Sequence, residues 1–215
     1  MTQPADEASR EEEFQDLLLR YSAELGEEDR KKVENRLWRK FGKTITTLVV
    51  DMSGFTKISQ SHGIVHFLSM VRRMQLTIQP IVDTYNGTVI RFEADNAFAK
   101  FKSPGKAISA CIALNLAMRS ANLLTPEELD IEVSCGIDHG KCLIPKESDF
   151  WGVAVNRASK LGEDLGQPGQ ILVTEEAMAL VPKSMDFESE ILEVEVGGDV
   201  ISVHSIKYGE TASKK

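Results

Sequence analysis

Strands in this chain come in pairs with helices between the pairs, and that order limits the fold more than any single motif. The run Ile45-Thr-Thr-Leu-Val-Val-Asp51 is rich in β-branched residues and reads as a buried strand, ended by Ser53-Gly54. Residues 64–85 repeat apolar side chains every three or four positions, which predicts a long helix, and Asn86-Gly87 follows as a turn. Two short strands, 88–92 and 97–101, are joined tightly around Ala94-Asp95-Asn96. Pro104 opens a helix that runs to about Ala121. Residues 129–137 read as a strand, with 141–144 as its expected hairpin partner past His139-Gly140. A helix over 152–164, a short strand at Ile171-Leu-Val and a short helix to Leu180 come next. Residues 191–196 and 200–206 form a last hairpin across Gly197-Gly198. Hairpins interleaved with helices predict an α+β fold, a mostly antiparallel sheet flanked by helices, and argue against a doubly wound parallel sheet. No internal repeat is present.

The N-terminal part is different. Residues 1–10 are expected to be disordered. Residues 11–42 are expected to be helical, with Phe14, Leu17, Leu18, Tyr21 and Leu25 on one stripe, an interruption at Gly26, and Val33, Leu37, Trp38 and Phe41 on a second. Arg30, Lys31, Lys32, Arg36, Arg39, Lys40 and Lys43 make that second stretch basic. Such a helix either touches a membrane surface or partner, or packs on its own domain or a second copy; the packed reading is preferred, because charge runs are usually solvated faces. The expected organisation is an N-terminal helical extension over 1–43, one domain over 44–207, and a disordered tail over 208–215.

Charge and composition exclude several classes of function. The 25 basic and 33 acidic residues leave a formal net charge of −8, so nucleic acid is not an expected partner. No apolar run reaches the roughly 18 residues of a membrane span, and the polar, acidic start is unlike a signal peptide. Three cysteines, Cys111, Cys135 and Cys142, make no paired framework, which points to a reducing cytoplasm. Gly136-Ile-Asp-His-Gly140-Lys141-Cys142 is one residue short of a phosphate-binding loop and has Cys where Ser or Thr belongs. His62 and His66 stand four apart but lack the Glu and third ligand of a zinc site.

Two carboxylates stand out. Asp51 ends a buried strand, where an unpaired charge costs several kcal/mol. Asp95 sits at the tip of a tight hairpin. If the hairpin lies beside the first strand, the two face each other and repel unless cations sit between them, and oxygen ligands suit Mg²⁺ or Mn²⁺. Taken singly, each Asp reads equally well as a turn cap.

These residues carry a resemblance. Asp51-Met-Ser-Gly54-Phe55-Thr56 resembles the Asp-x-x-Gly-Phe-Thr motif of class III nucleotide cyclase catalytic domains. Arg91-Phe-Glu-Ala-Asp95 is similar to the family's Lys-x-x-Gly-Asp element, and Gly136-Ile137-Asp-His-Gly140 to its Gly-Ile-x-x-Gly turn. Asp149-Phe-Trp151-Gly152-Val-Ala-Val155-Asn156 resembles Asp-x-Trp-Gly-x-x-Val-Asn, and Pro168-Gly169-Gln170-Ile171-Leu-Val matches the following strand. The five elements stand in the family's order over about residues 44–206.

The resemblance implies a ferredoxin-like class III cyclase domain that converts a nucleoside triphosphate to a 3′,5′-cyclic nucleotide and pyrophosphate. It implies two divalent metal ions (Mn²⁺ or Mg²⁺) held by Asp51, the Met52 carbonyl and Asp95, with Phe55 and Thr56 at the triphosphate. It implies Asn156 on the ribose and Lys160 at the phosphorane, where the family has Arg; lysine keeps the charge but loses the fork. It implies a homodimer with two shared active sites. The chain departs from the family at Glu195-Val-Gly-Gly, where a phosphate-binding lysine is usual, and between Gly140 and Asp149, which is short.

Arg91 and Asp149 fall at the base-reading positions. A donor beside an acceptor suits adenine, cytosine and uracil; the family's guanylyl members usually have Glu and Cys at these positions, so the resemblance disfavours guanine. Arg reaches further than the adenylyl members' Lys, and a pyrimidine's edge lies closer to the sugar. That leans towards UTP, as in the pyrimidine cyclases of bacterial antiphage systems, whose cyclic product is read by a separate effector. The alternatives are an adenylate cyclase and a catalytically silent nucleotide- or partner-binding domain.

Overall fold

The computed structural model describes residues 4–185 and 187–209. One sheet organises the chain, in the order β2-β3-β1-β4-β6-β8-β7, with β5 on β4. Its strands are β1 (Gly42–Met52), β2 (Thr88–Glu93), β3 (Asn96–Phe101), β4 (Val133–Lys146), β5 (Asp149–Trp151), β6 (Ile171–Thr174), β7 (Ser189–Val196) and β8 (Asp199–Ile206). Among the described residues only β4 and β6 pair in parallel, and the other pairings are antiparallel, as the interleaved hairpins predict.

β1 lies inside the sheet, so both of its faces need apolar side chains. Leu48, Val50 and Met52 join one core with α4 (Ile64–Thr84) and α5 (Pro104–Asn122). Ile45 and Val49 point the other way, into a smaller core with Phe98, Phe150 and the Ala154, Val155 and Ala158 side of α6 (Val153–Ser159). The two-residue alternation of strand side chains makes this division. After α6 the backbone widens into a π-helical turn, Lys160–Leu165. A short helix, α7 (Glu175–Met178), leads away from β6.

α1 (Pro4–Ala23) and α2 (Glu27–Phe41) form a third layer. Phe14, Leu17, Val33, Leu37 and Phe41 are buried together against Leu143 of β4. The basic residues of α2 flank this apolar stripe, and Arg36 and Lys40 both pair with Glu13 of α1. The N-terminal helices therefore pack on their own domain.

Several expectations need correction. α1 begins at Pro4, not after residue 10. A helix not foreseen, α3 (Phe55–His62), follows Gly54, whose φ of +89° suits the glycine there. Residues 129–137 and 141–144 do not form a hairpin. β4 runs unbroken because β1 extends back to Gly42 and gives it a partner throughout, Ile45 opposite Gly140 and Gly42 opposite Leu143. In the tail expected to be disordered from residue 208, the Tyr208 hydroxyl is anchored to the Gly169 carbonyl; residues 210–215 lie outside the described residues.

Candidate active site

The two carboxylates are brought together by strand pairing. Asp51 stands opposite Asn96 in the β1–β3 ladder, so the β2–β3 turn that carries Asp95 lies beside the end of β1. The Met52 N–H donates to the Asp95 carbonyl at 3.2 Å, which ties the two carboxylate-bearing segments. Ala94 holds the turn tight with φ of 51°, a left-handed conformation that costs a non-glycine residue about 1–3 kcal/mol.

Electrostatics at this corner are unfavourable as they stand. Burial pushes the Asp51 carboxyl up to about 7, and repulsion from Asp95, Glu163 and Asp164 adds to it. Burial also raises Asp95 and Glu163. Asn96, directly opposite Asp51, has a buried side-chain oxygen with no hydrogen-bond partner. Opposed residues of a ladder put their side chains on one face, so the Asp51 carboxylate and the Asn96 oxygen share one, with Asp95 and Glu163 near enough to repel Asp51. This donor set fits a hard divalent cation. Among the described residues no group of three or more His, Cys, Asp or Glu side chains is placed to hold a metal, so the protein offers an incomplete shell. Phe55 and Thr56 open α3 beside this corner, and their side chains lie outside the described residues.

A second pair forms elsewhere on the sheet. Arg91 Nη1 donates to Asp149 Oδ1 at 2.9 Å, across 58 positions of sequence. The arginine is fixed on three sides. Its Nε donates to Glu93 Oε2 at 3.2 Å, and its guanidinium lies over the Phe98 ring at 4.3 Å from the centroid. The Phe150 N–H also donates to Asp149 Oδ1, at 3.0 Å. The pair thus offers a directed donor next to a carboxylate oxygen, over aromatic rings.

Asn156 is exposed on α6. Lys160 follows at the first position of the π-helical turn, where its Nζ donates to Asp164 Oδ2 at 2.6 Å. Glu163 and Asp164 are brought near Asp51 by this turn, and nothing in the sequence pattern signals a π-helical segment. Glu93, in contrast, was legible: it stands two residues from Arg91 on a strand and so shares its face.

Comparison with known proteins places this geometry in context. The family model for the adenylate and guanylate cyclase catalytic domain matches residues 39–208. A putative adenylate cyclase 3 of Rhizobium meliloti (strain 1021) is 28% identical over 129 residues, 60% of this chain and 22% of that protein. The chain thus spans about a fifth of the length of that curated relative. The adenylyl cyclase CyaB from P. aeruginosa shares the fold with a TM-score of 0.67 at 20% identity, covering 79% of this chain and 96% of that one. The guanylate cyclase domain of RhGC from Catenaria anguillulae, solved in complex with GTP, does so with 0.66 at 14% identity, covering 78% and 98%. Adenylyl and guanylyl enzymes fit equally well, so the fold does not choose the base. No helix among the described residues is long and apolar enough to cross a membrane.

Proposed function

Because the chain belongs to the adenylate and guanylate cyclase catalytic-domain family, we propose that it cyclises a nucleoside triphosphate, with UTP as the preferred substrate, in a homodimer with two shared active sites. The sugar 3′-oxygen attacks the α-phosphorus and loses its proton; the O3′–P bond forms, the bond to the β-phosphate oxygen breaks, and pyrophosphate leaves. Asp51 and Asp95, with the Met52 carbonyl, are the residues to hold Mg²⁺ or Mn²⁺, which when bound supplies activation of the hydroxyl and neutralisation of the phosphates. The backbone at the start of α3, at Phe55 and Thr56, faces the triphosphate. Asn156 and Lys160 of the second protomer orient the ribose and meet the charge at the phosphorus. For this the Lys160 ammonium exchanges Asp164 for phosphate oxygen.

Base choice rests on one observation, the Arg91–Asp149 pair clamped over Phe98. With Nε on Glu93 and Nη1 on Asp149, Nη2 is the guanidinium nitrogen that these two bonds leave for the base. It stands beside Asp149 as a fixed donor–acceptor pair. Uracil presents O4 and N3–H to such a pair. The long, immobilised arginine leaves less depth than a lysine, which favours the smaller ring. The product then serves as a messenger read by a separate cyclic-nucleotide-binding effector, in the manner of antiphage defence. A second reading, ATP to cAMP, is favoured by the similarity to the putative adenylate cyclase 3 of Rhizobium meliloti. Incubation of purified protein with Mn²⁺ and each of ATP, GTP, CTP and UTP, with products identified by mass spectrometry, tests both. A cAMP-only result removes the pyrimidine proposal, and no cyclic product from any nucleotide removes catalysis.

A further inference from the structure

A cavity of about 410 Å³ opens beside α2, β4 and α6, lined by neither the carboxylate corner nor the Arg91–Asp149 pair. Trp38 of α2, Leu143 of β4, Trp151 of β5 and Val153 of α6 provide its apolar lining. The chain has two tryptophans, and both line this one space. One ring face of Trp151 is stacked on Phe14, at 5.6 Å and 8° between planes. The residue is still 44% exposed, which leaves its other face open.

Asp138, His139, Lys141 and Arg157 supply the polar part of the lining. The Asp138 side chain is 2% exposed. Its Oδ1 accepts from Thr174 Oγ1 at 2.5 Å and from the His139 N–H at 2.7 Å. Its Oδ2 has Arg157 Nη1 at 3.9 Å, beyond hydrogen-bond reach, because that Nη1 donates to Glu176 Oε1 at 3.1 Å. A donor placed beside Oδ2 would pair a carboxylate oxygen that the guanidinium does not reach.

We infer that this cavity is a second nucleobase site, taking a nucleotide whose ring stacks on tryptophan and whose edge meets Asp138 and Arg157. The carboxylate accepts and the guanidinium donates. Adjacent donor and acceptor groups on a base edge match both, whereas a simple amine or a simple carboxylate matches one and repels the other. The arrangement repeats the chemistry of Arg91 and Asp149, an arginine–aspartate pair beside aromatic rings, with indoles in place of phenyl groups. Arg157 adjoins Asn156 on α6, so an occupant would contact the helix that carries Asn156 and leads into Lys160, and would bias its position. Binding at this site does not require turnover, so its test is separate from that of the cyclase reading.

The test is the intrinsic tryptophan fluorescence of the full chain, titrated with AMP, CMP and UMP, none of which can be cyclised with loss of pyrophosphate. Ribose 5-phosphate is the base-free control. At least one nucleotide is expected to quench both indoles saturably, and the control is expected not to. Arg157→Ala should weaken that binding tenfold or more, and Arg91→Ala should leave it unchanged. Val153→Arg, at a position 65% exposed, should block the cavity with the circular dichroism spectrum intact, which covers the case in which Arg157→Ala fails to fold. Three results each overturn the inference: no saturable quench with any nucleotide, an equal quench with ribose 5-phosphate, or a quench lost in Arg91→Ala but kept in Arg157→Ala.

Discussion

Replacing Asp51 by Asn should make the metal-free protein more stable at pH 8. Burial and three neighbouring carboxylates raise the Asp51 pKa from its ordinary 3.8 to about 7. The ionised form is thus disfavoured in the folded state relative to the unfolded one. The sign follows from linkage: the unfolded chain releases this proton near pH 4 and the folded chain holds it until about 7. Stability is therefore full below the unfolded value, falls as pH rises from about 4 to 7, and stays low above that. A rise of about 3 in pKa is worth at most about 4 kcal/mol. Asp51 keeps partial access to solvent, which screens the charge and reduces this to about 1–3 kcal/mol. In a chain of this size that is roughly 2–12 °C in melting temperature. Melting curves in EDTA at pH 5 and pH 8 read it directly, with a clear gain for Asp51→Asn at pH 8 and a smaller one at pH 5. Added Mn²⁺ should then raise the melting temperature of the wild type and not that of the variant. A variant that melts below the wild type at pH 8 without metal would refute the carboxylate-crowding argument.

Other perturbations test other layers. Asp51→Ala should abolish cyclic-nucleotide formation while the circular dichroism spectrum stays native; full activity in that variant would remove the metal assignment. Arg91→Lys should lower kcat/KM for UTP and raise it for ATP, a change in discrimination of about 1–3 kcal/mol for altered polar pairing; equal effects on all four nucleotides would show that Arg91 does not touch the base. Phe14→Ala removes a buried ring that packs on Phe41 and stacks on Trp151. It should cost about 3–5 kcal/mol in urea denaturation, and a loss near zero would mean that α1 does not hold the domain. At Gly136 an added Cβ would run into the Ala158 carbonyl and the Gly162 amide. Gly136→Ala should thus push α6 and the π-helical turn off β4, seen as a lowered melting temperature together with lost turnover.

Much of the fold is legible in the sequence because it depends on short-range periodicity. Leu48, Val50 and Met52 against Ile45 and Val49 alternate at the strand period, and the α4 stripe from Phe67 to Val82 follows the helical one. His139-Gly140 looks like a turn in isolation, which puts a break between 137 and 141 that the ladder does not have. Only the partner strand, reaching back to Gly42, shows that those residues complete a ladder. α3 went unseen because eight residues carry too little apolar pattern to register.

The sequence by itself determined the element types, the order of the motifs and the identity of the chemical groups, since each depends on residues within a few positions of one another. The tertiary structure decided which groups meet. It set Asp95 and the orphaned Asn96 oxygen beside Asp51, clamped Arg91 between Asp149, Glu93 and Phe98, and turned Lys160 onto Asp164. It also closed α1 and α2 over β4, so that Trp38 and Trp151, more than a hundred positions apart, line one cavity. Such encounters depend on strand register and helix packing across the whole chain, and a local pattern holds no record of either.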